Sequence, residues 1–307
     1  MKLASSWRVK DNLKTLNIIG AGRAGRSLAH LWHNAGVFAV QDVLTRSQSS
    51  ADDAVQFIGA GRAVTRMSDM RAADVWMLAV PDGQIKNVAI DLSNTTLAGA
   101  FIASGAIIFH CSGALSSAEL QSLRSADDKG SQVASAHCIL SFSAPASAVT
   151  QFAGTPCALE GDVAAKQVLH PAFVAIGANC FDLAAKDKVL YHAAAVFATN
   201  FLPVLQVVAA ELWQSTGMPQ ALIAPLNASL LQKAVQNITT QGAAKALTGP
   251  AARGDAELVA LQGEAVADWN AQAGEAYAAL SQLAAQIAKD GTIQRALEKK
   301  TTKEIST

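Results

Sequence analysis

The chain has 307 residues, with 24 basic and 24 acidic side chains and a formal net charge of zero. This length predicts two domains, and the neutral charge balance argues against a nucleic-acid-binding surface, which needs a basic stripe. The four cysteines form no C-x-x-C pair, so neither a metal site nor a disulfide framework is predicted. The first residues lack an apolar leader, which predicts a cytoplasmic protein.

The first predicted strand, residues 16–19, leads into a glycine-rich turn that reads Gly20-Ala21-Gly22-Arg23-Ala24-Gly25. In such a G-x-G-x-x-G motif the first glycine permits a tight turn and the second lets the backbone approach a pyrophosphate. The third lets the following helix pack on the strand. A strand before the motif and a helical stretch after it favour dinucleotide binding at the helix N-terminus over an ordinary glycine turn.

The second predicted strand, residues 37–44, indicates which dinucleotide binds. NAD enzymes usually place a carboxylate about 20 residues after the glycines, to hold the ribose 2′-hydroxyl. Here the strand is followed by Thr45, Arg46 and Ser47, while Asp42 lies too early, on the strand itself. An arginine between hydroxyls suits a 2′-phosphate, so we predict NADP; the alternative is a solvated arginine in a loop.

Six further strands are predicted at residues 62–65, 75–80, 106–109, 132–136, 156–159 and 179–183. The apolar run 75–80 is typical of a parallel strand covered on both faces. Its end is marked by Val80, Pro81 and Asp82, at the edge where such sheets bind ligands. The prediction is therefore an α/β fold, a Rossmann-like doubly wound parallel sheet in an NADP-binding domain of residues 1–184.

Strand signals largely vanish beyond residue 184, and alanine-rich helical stretches follow at 189–213, 220–238, 256–269 and 274–289. They predict an all-α second domain, residues 185–307, for substrate binding and dimerisation. Within it, residues 189–210 carry no charge and are long enough to span a bilayer. Their polar load, including Tyr191, Asn200 and Gln206, favours a helix buried in a helical domain or a dimer core instead.

Several motifs together resemble a bacterial family of two-domain NADP oxidoreductases, whose helical domain has been described only as of unknown function. Besides the glycine loop, they are Val80-Pro81-Asp82, His110-Cys111-Ser112-Gly113, Glu160-Gly161-Asp162, Tyr191-His192-Ala193-Ala194-Ala195 with Asn200, Leu247-Thr248-Gly249-Pro250 and Arg253-Gly254-Asp255. His137-Cys138 departs from the His-Pro that is frequent in the family.

The layout is more distantly similar to pyrroline-5-carboxylate, ketopantoate and deazaflavin-dependent NADP reductases, and to 6-phosphogluconate dehydrogenase in its C-terminal domain. The resemblance implies hydride transfer with NADP bound by the glycine loop, Val80–Asp82, Ser112 and Gly113. It also implies a homodimer built through the helical domains.

Hydride transfer to a carbonyl or imine needs a proton donor. Related hydroxyacid dehydrogenases use a Lys-x-x-x-Asn pair, but counting back from Asn200 gives Val196, which cannot donate. On a regular helix, His192 shares a face with Thr199, and Asn200 borders that face. We therefore predict His192 as the donor; the alternative is a buried histidine in a helix interface.

Two other histidines, His110 and His137, follow predicted strands and could orient the substrate or simply cap the strands. Thr248 and Arg253 precede a helix and are predicted to hold an anionic group of the substrate. In the alternative, Arg253 pairs with Asp255, which caps that helix.

Three function classes remain open. The leading one is an NADP-dependent oxidoreductase that reduces a small 2-oxo acid or imine. The second is hydride exchange between NADP and a deazaflavin, and the third is a non-catalytic dinucleotide-binding sensor. The partners predicted are a small, anionic substrate and a second copy of the chain, with neither nucleic acid nor membrane.

Overall fold

A computed structural model of the chain describes residues 13–99, 102–124 and 130–293. The chain divides into two compact units, Met1–Phe197 and Ala198–Thr307. This division falls later than the boundary predicted after residue 184. The difference arises because the helix that starts at Lys188 packs in the first unit, where the Lys188 side chain is buried.

The described part of the first unit is built on one eight-stranded sheet, with the order β3-β2-β1-β4-β5-β6-β7-β8. The strands are β1 (Thr15–Ile19), β2 (Ala39–Leu44), β3 (Arg62–Val64), β4 (Ala73–Leu78), β5 (Ile102–His110), β6 (Gln132–Cys138), β7 (Pro156–Gly161) and β8 (Asn179–Asp182). Neighbouring strands are parallel except β6 and β7, which are antiparallel. The Rossmann-like fold is confirmed, with two reversed strands at one edge.

Helices cover both faces of the sheet: α1 (Arg23–Ala35), α2 (Gln48–Ile58), α3 (Asp82–Gly99), α4 (Pro145–Gln151) and α5 (Val163–Ala175). A further helix, α6 (Lys188–Ala195), follows β8. Alternate side chains of β4 point to opposite faces. Met77 joins the core cluster that contains Trp32 of α1, whereas Trp76 joins the cluster that contains Ile85 of α3. This two-sided burial explains why the β4 sequence is apolar without a break.

The strand order sets the position of the ligand edge. The chain runs outward from β1 to β3 and then crosses back to β4, which pairs with β1. The loops after β1 and β4 therefore lie side by side at the point where the strand order reverses, the usual ligand crevice of open α/β sheets. The loops after β5 and β6 continue the same edge, because these strands are parallel to β4.

The second unit is helical and begins within a π-helical segment (Val196–Asn200). Its α-helices are α7 (Phe201–Ser215), α8 (Gln220–Gln241), α9 (Ala243–Ala246), α10 (Pro250–Arg253), α11 (Ala256–Trp269) and α12 (Ala271–Asp290). Among the described residues 198–293, only Ile223 and Gly274 are fully buried. The helices therefore form without a substantial core of their own.

One continuous helical stretch, Ala185–Ser215, is long and apolar enough to cross a membrane by length and composition, with a mean hydropathy of 1.8. None of its most apolar window is buried inside the chain. The sequence predicted burial in a helical domain or in a dimer core, and the chain by itself does not provide that burial.

Candidate functional site

The glycine loop after β1 has the geometry that its motif predicts. Gly20 adopts a left-handed φ of 83°, and a Cβ there would lie 2.6 Å from Val80 Cγ1. A Cβ on Gly25 would lie 2.8 Å from Ala79 Cβ, so this glycine lets α1 pack closely. Gly22 faces open space, with no atom within 4 Å of its ideal Cβ. A ligand can therefore approach the backbone at Gly22.

Two cavities flank this loop. One, of about 510 Å³, reaches the end of β2; its lining includes Gly20, Ala21, Gly22, Thr45, Arg46, Ser50 and Gln84. The other, of about 580 Å³, reaches the end of β5; its lining includes Gly22, Arg23, Ala24, Gly25, Asp82, Cys111 and Phe142. Val80 and Pro81 line both cavities. An elongated ligand that crosses the glycine loop can occupy both.

Arg46 brings a cation to the first cavity. Its guanidinium forms no hydrogen bond or ion pair with any residue that the structure describes, and the residue is exposed. Thr45 donates its hydroxyl to the carbonyl of Ser47 at 2.9 Å. The Ser47 hydroxyl accepts from the Ser50 N–H and caps α2, so Ser50, rather than Ser47, lines the cavity.

Asp42 is fully buried and lies on β2, as predicted, so it does not face the cavity. Arg62 donates to its carboxylate from one side at 2.9 Å, and Arg71 donates from the other at 2.7 Å. Burial raises the pKa of Asp42, but these hydrogen bonds outweigh burial and lower it below its usual value. The carboxylate therefore has a structural role: it links β2 to the segments that carry Arg62 and Arg71.

The loops after β4 and β5 are joined by a polar contact. The Ser112 hydroxyl donates to Asp82 Oδ2 at 2.7 Å and accepts from the backbone N–H groups of Ala114 and Leu115. Asp82 lines the second cavity, whereas Ser112 and Gly113 do not. Ser112 and Gly113 lie in the loop beside that cavity, and their contact with the cofactor stays a prediction.

His110 has a structural environment. It is fully buried, its Nε2 lies 3.0 Å from the carbonyl oxygen of Ser116, and its Nδ1 accepts from the N–H of Ser112 at 3.2 Å. Burial lowers the pKa of His110, which keeps the ring neutral. Since both ring nitrogens are occupied, the geometry argues against the predicted role of His110 in orienting the substrate.

His137 and His192 meet over Gly113. Their ring centroids are 5.5 Å apart, and an ideal Cβ on Gly113 would overlap His192 Nδ1 and lie 2.9 Å from His137 Nε2. His137 Nδ1 is 2.9 Å from the hydroxyl of Tyr191. Burial and then the charge of His192 lower the pKa of His137 to about 4. His192 Nδ1 is buried and has no hydrogen-bond partner among the described residues.

A small side cavity of about 130 Å³ lies beside His137. Its lining includes His137, and it shares Ala24, Cys111 and Phe142 with the second cavity. The imidazole of His137 is therefore within reach of a ligand that fills the side of the glycine loop facing β5.

Lys188, one turn before His192 on α6, is a residue that the sequence analysis missed. Its ammonium donates to the Ser112 carbonyl at 3.1 Å and to the Ser135 hydroxyl at 2.7 Å. The spacing Lys-x-x-x-His was visible in the sequence. Counting from Asn200 instead of His192 placed the expected lysine at Val196.

The remaining predicted residues lie in the helical unit. Thr199 donates its hydroxyl to Asn200 Oδ1 at 2.9 Å, and both end the π-helical segment. A π turn advances differently from an α-helix, so the regular spacing that would place His192 on the same face as Thr199 does not apply.

Arg253 donates to the carbonyl of Thr248 at 2.7 Å and to the carboxylate of Asp255 at 3.0 Å. This pairing with Asp255 is the alternative raised by the sequence. Asp255 stands at the N-cap position of α11, but its side chain makes no capping hydrogen bond there. Binding of a substrate anion by Thr248 and Arg253 stays a prediction.

Comparison with known proteins agrees with this architecture. Residues 4–132 match the Rossmann-like domain family, and residues 155–284 match a domain of unknown function, DUF2520. The chain is a Rossmann-like domain joined to a DUF2520 domain. No curated protein matches the sequence.

Solved structures share the fold of this two-domain protein. Protein TM1727 from Thermotoga maritima is 24% identical, with a TM-score of 0.68, and the match covers 90% of this chain and 99% of that one. An imine reductase from Myxococcus stipitatus in complex with NADP⁺ is 16% identical, with a TM-score of 0.59 and coverage of 90% and 95%. A pyrroline carboxylate reductase from Plasmodium falciparum with NADP bound is 12% identical, with a TM-score of 0.53 and coverage of 89% and 98%.

Proposed function

We propose that the protein is an NADP-dependent oxidoreductase that reduces a small 2-oxo acid or imine. The observation that carries this proposal is the pair of cavities on either side of the open Gly22 backbone. Arg46, which has no partner among the described residues, lines one cavity, and the other shares lining residues with a side cavity that His137 lines. The relatives crystallised with NADP support the same cofactor.

The residues present fit such a cofactor. The N-terminus of α1 and the Gly22 backbone would hold the pyrophosphate, and Arg46 with Thr45 would hold a 2′-phosphate. Among the described residues no carboxylate lines the first cavity, and Asp42 is bound by two arginines. NADPH, when bound, supplies the hydride.

His192 is assigned as the residue that gives a proton to the reacting oxygen or nitrogen of the substrate. Its Nδ1 is the buried ring nitrogen without a partner in the described chain, so a substrate atom can take up that bond. His137 stays neutral near pH 7, since its pKa is lowered to about 4, and Tyr191 fixes its orientation. This acid–base arrangement favours reduction over hydride exchange with a deazaflavin, which needs little such machinery.

We also propose that the protein is a homodimer joined through its helical units. Val204, Val207 and Leu222 are each more than half exposed in the single chain, as are other apolar side chains of these helices. Water-facing apolar surface of this extent is typical of an interface. A cytoplasmic location remains a prediction.

The cofactor assignment is tested by Arg46→Gln, with Arg66→Gln as the matched control, because Arg66 is already paired with Asp69. Loss of a charge-assisted contact to the 2′-phosphate should weaken NADPH binding about 10- to 150-fold and leave NADH binding unchanged. Dissociation constants from fluorescence titration decide the matter. Equal affinities of the parent protein for NADPH and NADH would contradict the assignment.

The reaction is tested by NADPH oxidation against 2-oxo acids, cyclic imines and a deazaflavin. On an accepted oxo acid or imine, His192→Ala should lower kcat about 10²- to 10⁴-fold with little change in NADPH affinity. Near-normal turnover in that variant would remove His192 from the mechanism. Turnover of the deazaflavin alone would establish hydride exchange, and NADPH binding without any turnover would indicate a sensor.

A further inference from the structure

The loop after β6 brings polar groups to the second cavity that the proposed reaction has not used. Ser141 and Ser143 are exposed and line this cavity, while Phe142 between them packs against the core of the sheet. The packing of Phe142 holds the loop at the cavity with a serine on either side. Neither serine hydroxyl forms a hydrogen bond with any residue that the structure describes, so both can donate to a ligand.

Arg23, the first residue of α1, lines the same cavity. Its Nη1 donates to the carbonyl oxygen of Ser143 at 3.2 Å, which holds the guanidinium beside the loop after β6. Its Nε and Nη2 donate to no acceptor in the described part of the chain, and the side chain forms no ion pair there. Because a guanidinium carries five N–H donors, most of them remain available to a ligand.

The charges around the second cavity define where an anion can bind. Among the described residues that line it, Arg23 is the cation and Asp82 is the anion. The Asp82 carboxylate already accepts the Ser112 hydroxyl at 2.7 Å. Since opposite charges attract and like charges repel, a bound anion is favoured on the side of Arg23 and disfavoured on the side of Asp82.

This group of donors is separate from those proposed for the phosphates of the cofactor. Arg23, Ser141 and Ser143 line the second cavity but not the first, which is the cavity that Arg46 lines. The second cavity, of about 580 Å³, is of the size that small-molecule sites usually have. An anionic substrate in this cavity therefore has a cation and two hydroxyls within the same lining.

We propose that Arg23, Ser141 and Ser143 bind the carboxylate of the substrate in the second cavity. The guanidinium pairs with the carboxylate oxygens, as arginine commonly does, and the serine hydroxyls donate to the remaining lone pairs. The substrate is then a 2-oxo acid or an imine that carries a carboxylate. Arg253 is less suited to this task because it is already paired with Asp255. The proposal rests on the proposed reductase function and names the class of its substrate.

Oxalate binding to the full chain tests the site, by calorimetry with saturating NADP⁺, which fills the phosphate sites, and again without cofactor. Arg23→Gln should weaken oxalate binding about 10- to 150-fold, because a charge-assisted pair is lost. Ser141→Ala and Ser143→Ala should each weaken it about 2- to 10-fold. Arg124→Gln, which removes an ion pair with Asp162 and lines neither cavity, is the matched control and should behave as the parent.

Two further measurements separate a binding role from a structural one. The Tm of Arg23→Gln should equal that of the parent, because Arg23 is exposed. Arg23→Lys keeps the charge but loses the planar fork, so its affinity for oxalate should lie between those of the parent and Arg23→Gln. On an accepted 2-oxo acid, Arg23→Gln should raise KM more than it lowers kcat. An imine without a carboxylate should be reduced equally by both proteins.

Unchanged oxalate affinity in Arg23→Gln, or no oxalate binding by the parent, would overturn the proposal. An equal loss of affinity for NADPH and for oxalate would instead assign Arg23 to the pyrophosphate of the cofactor. A loss of oxalate binding in Arg253→Gln but not in Arg23→Gln would move the anion to the helical unit. NADPH binding by the parent without oxalate binding contradicts only the anion site, whereas failure to bind NADPH contradicts the proposed function.

Discussion

The two units of this protein differ in how they meet the cost of ordering a chain. The sheet unit buries large side chains on both faces, with Trp32, Phe109 and Phe173 in edge-to-face contact in one of its two clusters. In the described part of the helical unit, Ile223 and Gly274 are the fully buried residues. Burial of apolar area is the main compensation for lost chain entropy. The sheet unit therefore has a core that stabilises it. The helical unit needs a second surface that covers its apolar side chains.

The predicted site residues also divide between the two units. The glycine loop, the Ser112 loop and His137 are held by the buried sheet, and Lys188 and His192 belong to the same unit. Thr199, Asn200, Thr248 and Arg253 belong to the helical unit, with their hydrogen bonds made at exposed positions. Preorganised groups are those that support chemistry best, so we place the proposed proton donor in the sheet unit.

The largest expected effect is on the sheet core. Trp32→Ala should lower the free energy of unfolding of the sheet unit by about 3–5 kcal/mol, because Trp32 is 0% exposed and the ring leaves a large void. Trp269→Ala, at a half-buried position of α11, should cost less. Urea unfolding followed by circular dichroism measures both. Similar losses in the two variants would contradict the contrast between the units.

The next effect concerns the apolar surface of α7. Val207→Glu places a charge on a side chain that is 56% exposed in the single chain. If this face is covered by a second copy, the charge should raise the dimer dissociation constant at least about 30-fold. Gln214→Glu adds the same charge at a polar position of α7 and should leave assembly unchanged. Light scattering across a dilution series measures the result; a parent protein that is monomeric at micromolar concentration would refute the dimer.

The smallest effect is a pH dependence that arises in the sheet unit. The pKa of His137 is lowered from 6.5 to about 4 in the folded protein, so the unfolded chain binds the proton more tightly. Stability should therefore fall as the pH drops from about 6.5 to 4, with His137 contributing roughly 1–3 kcal/mol. In His137→Asn the fall should be shallower, whereas His33→Asn is the control. Melting curves across this range that are superimposable for His137→Asn and the parent would contradict the role of burial.

Local sequence patterns determined the strands, most helices and the glycine loop. Each of the eight strands lies within a few residues of its predicted position, since short apolar runs between turn residues are a local signal. The roles of Gly20, Gly22 and Gly25 followed from the motif because they depend on backbone conformation and close approach within one turn. The position of Arg46 beside the first cavity also followed from the sequence, because residue 46 comes just after β2.

Tertiary structure alone decided which polar side chains remain free. His110, His137 and His192 look alike in the sequence, yet packing occupies both nitrogens of His110 and leaves His192 Nδ1 without a partner among the described residues. The π-helical segment broke the regular spacing used for Thr199, and the burial of Lys188 depends on Ser112 and Ser135, which are distant in the chain. Hydrogen-bond satisfaction is set by groups brought together through folding, so no pattern within one segment could reveal it.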